Sequence, residues 1–477
     1  MCGIIGLSGY KGVINDLLFG LTTLQHRGQS SCGIVTFEDV FHSKKGLGVI
    51  SNVFNEEVMQ KLPGHTGLGH VRYATQGTDE LLNTQPFTIN YPFGIAMIHN
   101  GNIINFKELR KSLYEDYHIL LETSNDLELI LYTFSSELGK KDLKNLRVES
   151  IFDAVEKTQQ MVIGAYSAVS YIANRGMLAF VDPYGIRPIV MGKKETPDGV
   201  IYGFASESTC FDYLQYETIG PLEPGEAVFI DENKNIFRKI CHPKGRAFCI
   251  FEYIYFSRED SVINGKLVAD ERMKMGKLLA KKIRNAGLHP DIIIDVPSSA
   301  YFFAASLADE LGIPYRRGLA KNNHIGRSFI QSSQKEREQT ARLKLNPIKN
   351  LIEGKKVAIV DDSIVRGTTS KNIVRMLRSA GAEQVYFISA APPIKNPCVY
   401  GIDMAISSEL IGRHEIEEIK KYLDVDALIY QSLEDLQELY KKESFCYACF
   451  SGKYPVEKTS EYLSEIETER IGRKNGN

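Results

Sequence analysis

The sequence lacks the features of a membrane-spanning or secreted protein. It has no tryptophan and only eight cysteines in 477 residues, too few for a scaffold held together by disulfide bonds. No apolar run reaches the roughly 18 residues that suggest a membrane span, and residues 1–20 lack the basic and apolar regions of a signal peptide. With 57 Lys and Arg against 59 Asp and Glu, the overall charge does not indicate binding to nucleic acid or to a membrane. We therefore expect a cytoplasmic globular protein with neither of these partners.

Length and patterning predict two large domains. Before about residue 240, short apolar runs typical of strands dominate, and helical stretches separate them near 14–26, 55–61, 105–116 and 125–138. This arrangement favours a layered sheet sandwich flanked by helices. After about residue 270, strand-like runs such as DIIIDVP and KKVAIVDD alternate with helical ones. That alternation predicts a doubly wound parallel sheet, in which ligands bind beyond the carboxyl ends of the strands.

The most informative stretch is VAIVDDSIVRGTTS, at residues 357–370. A buried strand ends in Asp361 and Asp362, whose carboxylates suit sugar hydroxyl groups or Mg²⁺. An ordinary helix cap would account for one of the hydroxyl groups that follow, but not for three in succession beside a glycine and an arginine. Hydroxyl and backbone N–H groups at the start of a helix bind phosphate. The stretch predicts a ribose phosphate site whose phosphate is held by Ser363, Arg366, Gly367, Thr368, Thr369 and Ser370.

This stretch resembles the signature of type I phosphoribosyltransferases, which bind 5-phosphoribosyl pyrophosphate. In DVPSSAYFF, the resemblance implies a Mg²⁺-contacting hydroxyl group at Ser299. The other metal-site residues that it implies are Asp361 and Asp362. This chain departs from the family at Ser298, where relatives carry an acidic residue.

A basic segment follows at residues 321–350, with seven Lys or Arg against two Glu. It is either a solvated surface loop or a lid over pyrophosphate. The family resemblance favours the lid, since Lys321 and Arg327 match the family pattern as substrate-binding residues. Asn323 and His324 depart from it, because they replace the usual Arg-Tyr pair.

The opening MCGIIG has two interpretations. Cys2 is either a small residue before a first strand or, after removal of Met1, an N-terminal nucleophile. In the second case its α-amine, with an ordinary pKa near 8, can accept the thiol proton. A thiolate that attacks an amide also needs an oxyanion hole and groups that hold the substrate.

Three other motifs supply those groups. Asn100 and Gly101 in IHNGNI form either a hairpin turn or an oxyanion hole with two donors. Arg72 in GHVRYATQG can bind a carboxylate through two parallel hydrogen bonds. Asp126 in TSNDLELI can pair with an ammonium group. A substrate with a carboxylate, an ammonium group and a side-chain amide is glutamine.

Residues 2–235 resemble class II glutamine amidotransferase domains of the N-terminal-nucleophile fold. The motifs MCGI, LQHRGQSS, GHVRYAT, HNGN, VDPYGIRP and ASES stand where that family has them. The resemblance implies a nucleophile, two oxyanion donors and two glutamine ligands, which are Cys2, Asn100 with Gly101, and Arg72 with Asp126. Asn125 and Leu127 depart from the usual S-S-D-[TS]-E pattern around Asp126.

Four cysteines match those that ligate an Fe–S cluster in one branch of the family that combines these two domains: Cys249, Cys398, Cys446 and Cys449. Four thiolates suit a [4Fe–4S] cluster, and tetrahedral Zn²⁺ is the chemical alternative. We expect Cys32, Cys210 and Cys241 to be buried small hydrophobic residues.

Together the two halves resemble the glutamine phosphoribosylpyrophosphate amidotransferase family, in its Fe–S-containing branch. The resemblance implies an α/β protein with an αββα glutaminase domain at 2–235, a doubly wound type I phosphoribosyltransferase domain at 236–455 and a polar C-terminal tail at 456–477. Glutamine would be hydrolysed through a thioester on Cys2. Its ammonia would displace pyrophosphate from 5-phosphoribosyl pyrophosphate to give 5-phosphoribosylamine, the first step of purine synthesis. Mg²⁺, a [4Fe–4S] cluster, feedback purine nucleotides and a homotetramer are also implied.

Three alternatives remain open from the sequence. A class II amidotransferase of the hexosamine or asparagine type would lack VDDSIVRGTTS. A phosphoribosyltransferase with another nucleophile would have no need of Cys2, Asn100 and Arg72. A non-enzymatic sensor of phosphoribosyl pyrophosphate or iron would have lost catalytic residues, and none is lost here.

Overall fold

The computed structural model describes residues 1–73, 81–322, 345–402, 406–441 and 443–465. The predicted lid residues Asn323, His324 and Arg327, and the last twelve positions of the predicted tail, 466–477, lie outside these ranges.

Two antiparallel sheets face each other in the N-terminal part of the chain. The seven strands of the first sheet are, in spatial order, Glu217–Pro221, Val190–Thr196, Gly199–Ala205, Gly3–Ser8, Thr66–Arg72, Ser31–Glu38 and Val40–Leu47. The six strands of the second sheet are, in spatial order, Ile236–Ile240, Glu226–Asp231, Gly176–Val181, Gly164–Ile172, Ile95–Ile103 and Phe87–Ile89. Gly3–Ser8 is a central strand, paired on both sides, and every one of its residues is buried. Cys2 directly precedes this strand.

Helices cover the outer face of each sheet. Ile14–Thr23 and Thr209–Leu214 pack on the first sheet, and three helices pack on the second: Phe106–Tyr117, Asp126–Gly139 and Val148–Met161. Side chains of both sheets, including Ile4, Val35 and Ile98, fill the layer between them. This order confirms the predicted αββα arrangement, although the sequence patterns did not reveal Val148–Met161. The shorter helical segments are Gln25–Arg27, Ile50–Val53, Glu56–Gln60 and Leu81–Asn83.

The strand Ile236–Ile240 lies just beyond the predicted domain boundary between residues 235 and 236. It pairs antiparallel with Glu226–Asp231 and forms the edge of the second sheet. The first sandwich therefore extends through residue 240, because its last hairpin is completed only there.

The second domain is built on a parallel sheet with the spatial order Ile292–Asp295, Lys356–Asp361, Gln384–Ser389 and Ala427–Tyr430. Alternate side chains enter two different cores, since Ala358 and Val360 pack on one face and Val357 and Ile359 on the other. Within the described residues, the helices of this domain are Val268–Asn285, Tyr301–Leu311, Lys349–Ile352, Thr368–Ser379, Ile416–Leu423 and Leu433–Leu439. This architecture confirms the predicted doubly wound sheet.

Several short elements connect the two domains or extend the second. Parallel Phe248–Cys249 and Phe445–Cys446 form one pair of strands; the other pairs are Val262–Ile263 with Lys266–Leu267 and Leu319–Lys321 with Leu345–Pro347. The remaining turns of helix are Glu252–Phe256, Ser407–Glu409, Ile411–Arg413 and Ala448–Ser451. Residues 459–465, at the start of the predicted tail, are helical, and Thr459 is buried. Within the described ranges, we find no helix with the length and apolarity that a membrane crossing requires.

Candidate active sites

The predicted nucleophile lies against the predicted oxyanion residue. The Cys2 backbone nitrogen donates to Asn100 Oδ1 at 2.9 Å, and Arg27 Nε donates to the Cys2 carbonyl oxygen at 3.0 Å. Asn100 lies inside the strand Ile95–Ile103, so the hairpin-turn interpretation of IHNGNI is wrong. Its Nδ2 is buried and has no hydrogen-bond partner among the described residues. That amide can therefore donate to an oxyanion at the site.

The next residue, Gly101, lies where only a glycine fits. An ideal Cβ at this position would come within 2.0 Å of the Ala165 carbonyl oxygen and 2.7 Å of the Tyr166 Cα. Both atoms belong to the backbone of the neighbouring strand, so they cannot move aside as a flexible side chain would. The glycine allows the two strands to approach closely beside Cys2.

A cavity of about 480 Å³ adjoins Cys2 and brings together the two predicted glutamine ligands. Arg72, at the end of the strand Thr66–Arg72, is 8% exposed. Asp126 is the first residue of the helix Asp126–Gly139, and its Oδ2 accepts a hydrogen bond from the Ile103 N–H at 3.3 Å. A cationic and an anionic group thus lie in one cavity with a thiol, as an α-amino acid amide requires.

The departures around Asp126 have a structural role. The Asn125 side chain caps the helix, because its Oδ1 accepts from the Leu127 N–H at 3.0 Å. Its Nδ2 donates to the Asn83 carbonyl at 2.8 Å, and Leu127 is fully buried. Both residues thus hold the start of the helix in place and leave Asp126 in the cavity.

Two supporting residues of this cavity were not found by sequence reasoning. His99 Nε2 lies 3.2 Å from Asp126 Oδ1. Gln85 fixes that histidine, because its Oε1 accepts from the His99 backbone N–H and its Nε2 contacts His99 Nδ1, each at 2.8 Å. The HNGN motif contained His99, but its strand context was needed to place it behind Asp126.

Met1 occupies the space between the domains. It is 3% exposed, and burial lowers the pKa of its α-amine to about 6. While Met1 is present, the Cys2 nitrogen is a peptide nitrogen and cannot act as a base. The nucleophile prediction therefore depends on removal of Met1.

A second cavity, of about 610 Å³, lies at the carboxyl ends of the strands Ile292–Asp295 and Lys356–Asp361. The helix Thr368–Ser379 begins in its wall, directly after Gly367, whose φ of +75° is readily adopted by glycine. All the predicted substrate and metal residues that the structure describes here line this cavity: Ser299, Lys321, Asp361, Asp362, Ser363, Arg366, Gly367, Thr368, Thr369 and Ser370. Met1 and Arg27 of the first domain reach it too.

The acidic pair in this cavity is buried and poorly neutralised. Burial and the neighbouring Asp362 charge raise the pKa of Asp361 well above its usual range. Burial also raises the pKa of Asp362, although Ser299 Oγ donates to one of its oxygens and Ser363 Oγ donates to the other, the latter at 2.7 Å. Two carboxylates in this state attract a cation or hydroxyl donors.

Two predicted substrate residues have protein partners. Arg366 Nε donates to Glu409 Oε2 at 3.0 Å at the edge of the cavity. Lys321 Nζ donates to Ser298 Oγ at 3.2 Å, so the serine that replaces the family's acidic residue contacts a lysine instead.

A buried network of charges joins the two domains, and sequence reasoning missed it. Arg27 contacts Glu207 Oε1 at 2.5 Å and Glu252 Oε1 at 3.1 Å. Arg187 lies 3.5 Å from the same Glu252 oxygen, and His26 Nε2 lies 2.8 Å from Glu207 Oε1. The motifs LQHRGQSS, ASES and VDPYGIRP contain four of these residues, but only the fold shows that they meet beneath Cys2.

The four predicted cluster ligands gather beside this network. Cys249 and Cys446 are directly opposite each other in a parallel strand pair, and Cys398 Sγ accepts from the Tyr400 N–H at 3.3 Å. Burial, and then interaction with the other three thiols, raises the pKa of Cys449 well above its usual range. No group of three or more His, Cys, Asp or Glu that could hold a metal ion is found among the described residues. The other cysteines, Cys32, Cys210 and Cys241, are buried, which confirms their predicted placement.

Comparisons with known proteins match both halves of the chain. The family described as "Glutamine amidotransferase domain" matches residues 70–213, and the family described as "Phosphoribosyl transferase domain" matches residues 268–398.

Curated relatives extend the match to nearly the whole chain. An amidophosphoribosyltransferase of Pseudomonas aeruginosa is 42% identical over 98% of this chain and 96% of its own. The Escherichia coli protein of that name is 41% identical over the same shares, and the Saccharomyces cerevisiae protein is 39% identical over 98% of this chain and 95% of its own.

Solved structures agree with the sequence relatives. The Bacillus subtilis glutamine phosphoribosylpyrophosphate amidotransferase complexed with ADP and GMP is 37% identical, with a TM-score of 0.84 over 96% of this chain and 98% of its own. A structure described as the allosteric regulatory enzyme of purine biosynthesis is 36% identical, with a TM-score of 0.87 over 98% of this chain and 99% of its own.

Proposed function

The chain belongs to the amidophosphoribosyltransferase family, and from that premise we propose that each of its two cavities carries one half of the family reaction. The reaction uses glutamine as a nitrogen source and replaces the pyrophosphate of 5-phosphoribosyl pyrophosphate with an amino group, as the first step of purine synthesis. The observation that carries the division is the position of Cys2 in one cavity and of the buried acidic pair, Asp361 and Asp362, in the other.

In the first cavity, we assign the nucleophile to Cys2 after removal of Met1. The freed α-amine accepts the thiol proton, and the thiolate attacks the side-chain amide of glutamine. Asn100 Nδ2 and the Gly101 N–H donate to the oxygen that becomes negative in the tetrahedral intermediate. When that intermediate collapses, the C–N bond breaks and the α-ammonium group returns its proton to the nitrogen, which leaves as ammonia. The thioester that remains is hydrolysed by water to glutamate. Arg72 and Asp126 hold the carboxylate and the ammonium group of the substrate.

In the second cavity, we assign the 5-phosphate to the start of the helix Thr368–Ser379. Its free N–H groups and the hydroxyl groups of Thr368, Thr369 and Ser370 suit an anion. Asp361 and Asp362 accept hydrogen bonds from the ribose hydroxyl groups. Ser299 and the acidic pair fit Mg²⁺, because they are hard oxygen donors around an uncompensated negative charge. When bound, Mg²⁺ offsets the charge of the leaving pyrophosphate.

Ammonia formed beside Cys2 has to reach the second cavity unprotonated, because an ammonium ion is not a nucleophile. Tyr73 lines both cavities, which supports a short path between them. The basic segment 321–350 is the lid over pyrophosphate that the family resemblance favours. Most of that segment, Arg327 included, lies outside the described residues.

Regulation by purine nucleotides is also proposed for this chain. The support is the Bacillus subtilis relative, whose structure is described as complexed with ADP and GMP. The homotetramer remains a proposal that follows from the family resemblance.

One assay tests the proposed function directly. With glutamine, 5-phosphoribosyl pyrophosphate and Mg²⁺ together, we expect glutamate and pyrophosphate to be released in equal amounts. Pyrophosphate release should stop when either glutamine or Mg²⁺ is left out, whereas ammonium salt should replace glutamine. Glutamate without pyrophosphate would instead indicate an isolated glutaminase and contradict the proposal.

We propose that Cys249, Cys398, Cys446 and Cys449 hold a [4Fe–4S] cluster. The support is that four buried or half-buried thiols from distant parts of the chain lie near one another. Three of them, Cys249, Cys398 and Cys446, interact with the Arg187 guanidinium. A cubane takes one thiolate on each of its irons, and the positive guanidinium suits its negative charge. The cluster would link Cys249, where the second domain begins, to the C-terminal segment around Cys446. Its role would be structural, because none of the four thiols lines either cavity.

Iron content and solubility check the cluster. Purified without air, the protein should be brown and contain about four irons per chain. Cys446→Ser should give little soluble protein, because cluster binding and folding are coupled, while Cys241→Ser should behave as wild type. A colourless, zinc-loaded and fully active enzyme would contradict the cluster. Full activity after complete loss of iron would contradict its structural role.

A further inference from the structure

The second domain closely approaches the backbone of Gly101. An ideal Cβ on Gly401 would lie 2.9 Å from the Gly101 carbonyl oxygen, 3.0 Å from its carbonyl carbon and 3.3 Å from its Cα. Gly401 has a φ of +97°, in the region that favours glycine. A side chain at Gly401 therefore cannot be added unless one of the two backbones moves.

Hydrogen bonds hold the residues before Gly401 against the first domain. Asn102 Nδ2, one residue after Gly101, donates to the Val399 carbonyl at 2.8 Å. Arg187 Nε donates to the Tyr400 carbonyl at 2.7 Å. The backbone is thus attached at two consecutive positions, Val399 and Tyr400, directly before Gly401.

Gly101 is confined from two sides. The strand Gly164–Ile172 leaves no space for a Cβ on Gly101, and Gly401 lies so near the Gly101 carbonyl group that it has no space for a Cβ of its own. The Gly101 N–H and the Gly101 carbonyl belong to successive peptide groups that meet at the Cα, and an ideal Cβ on Gly401 would approach this Cα to 3.3 Å. A shift of the Cα would turn both peptide groups. The direction of the Gly101 N–H is therefore set partly by the second domain.

We propose that residues 399–401 of the phosphoribosyltransferase domain are a positioning element for the glutaminase oxyanion hole. This inference rests on the oxyanion role proposed above for Gly101. Oxyanion donors act only when they lie about 2.7–3.1 Å from the developing charge, so a shift of a few tenths of an ångström weakens them. Glutamine hydrolysis thereby depends on a segment that contains neither the nucleophile nor a glutamine ligand.

The variant Gly401→Ala tests this role. We expect kcat for glutamine hydrolysis to fall about 10²-fold, the effect of losing one oxyanion donor, with KM for glutamine within about threefold because Arg72 and Asp126 are untouched. Synthesis from ammonium salt should be retained. An aldehyde analogue of glutamine, which forms a tetrahedral adduct with the thiol, should bind more weakly by the same factor as kcat/KM, while glutamate should bind as before.

A matched control separates contact from backbone strain. Gly354 also has a positive φ, +67°, but an ideal Cβ there meets nothing within 4 Å. Gly354→Ala should therefore leave glutamine hydrolysis unchanged. If Gly401→Ala does not fold, Asn102→Asp takes its place, because it puts an acceptor opposite the Val399 carbonyl. We expect the same loss of kcat for glutamine hydrolysis, and we expect synthesis from ammonium salt to be retained.

Two outcomes would overturn the inference. One is glutamine turnover at the wild-type rate in the folded Gly401→Ala variant or its replacement. The other is an equal loss with glutamine and with ammonia in a folded protein, which would indicate a general defect. Cys2→Ala, assayed in parallel, distinguishes failure of this inference from failure of the proposed function. If Cys2→Ala still uses glutamine, the proposed glutaminase site itself is wrong.

Discussion

Cys2→Ala is expected to abolish glutamine-dependent synthesis of 5-phosphoribosylamine, by at least about 10³-fold, and to preserve synthesis from ammonium salt. The thiol is needed only to release ammonia, and it lies in a different cavity from Asp361 and Asp362. Rates with each nitrogen source, measured as pyrophosphate release, check this result. Mass spectrometry of the active wild-type protein should show Cys2 as its first residue, because only the free α-amine can act as the base.

The matched control is Cys241→Ala. It makes the same chemical change at a buried thiol of the second sheet's core and should retain both activities. Simultaneous loss of both activities in a folded Cys2→Ala protein would contradict the division into two sites. An active enzyme that retains Met1 would contradict the α-amine as the base.

Asp362→Asn is expected to lower transfer from either nitrogen source by about 10²-fold or more, while basal glutamine hydrolysis survives. The substitution removes an acceptor that the ribose hydroxyl groups and Mg²⁺ share, and it does not touch the first cavity. Steady-state rates with glutamine, with ammonium salt and for glutamate release alone provide the measurement. Asp309→Asn, at an exposed position of the helix Tyr301–Leu311, is the control. Transfer within about threefold of wild type would remove the acidic pair from the proposed site.

Asp361 and Asp362 support activity, but their negative charges are expected to lower the stability of the folded protein at high pH. Consider a carboxyl group whose pKa is higher in the folded state than in the unfolded state. Its contribution to stability is complete below the unfolded pKa, near 3.9. The contribution is lost as the pH rises through the folded pKa. Asp361 and Asp362 both have raised pKa values. At pH 8, without ligand, Asp362→Asn should therefore melt at a higher temperature than wild type, and the difference should shrink at pH 5.

The first cavity shows why local motifs predicted some residues and missed others. Cys2, Arg72 and Asp126 are needed for their chemistry, so their residue types alone suggested nucleophile, carboxylate binder and ammonium binder. His99 acts through Asp126, and nothing in its immediate sequence states which carboxylate it will contact. The hairpin interpretation of Asn100 failed for a related reason, since an Asn-Gly pair reads as a turn until long-range strand pairing places it within Ile95–Ile103.

By itself the sequence determined the αββα and doubly wound architectures, because the periodicities of strands and helices are local. It also determined the identity of the reactive groups, because each motif that contains them is short. Only the tertiary structure decided which charges and surfaces meet across the domains. Arg27 and Glu252 are 225 positions apart, yet they are hydrogen-bonded. Gly101 and Gly401 belong to different domains, yet they lie so close that Gly401 has no space for a Cβ. Such contacts depend on how two independently patterned domains dock, and no periodicity or motif within either domain encodes that geometry.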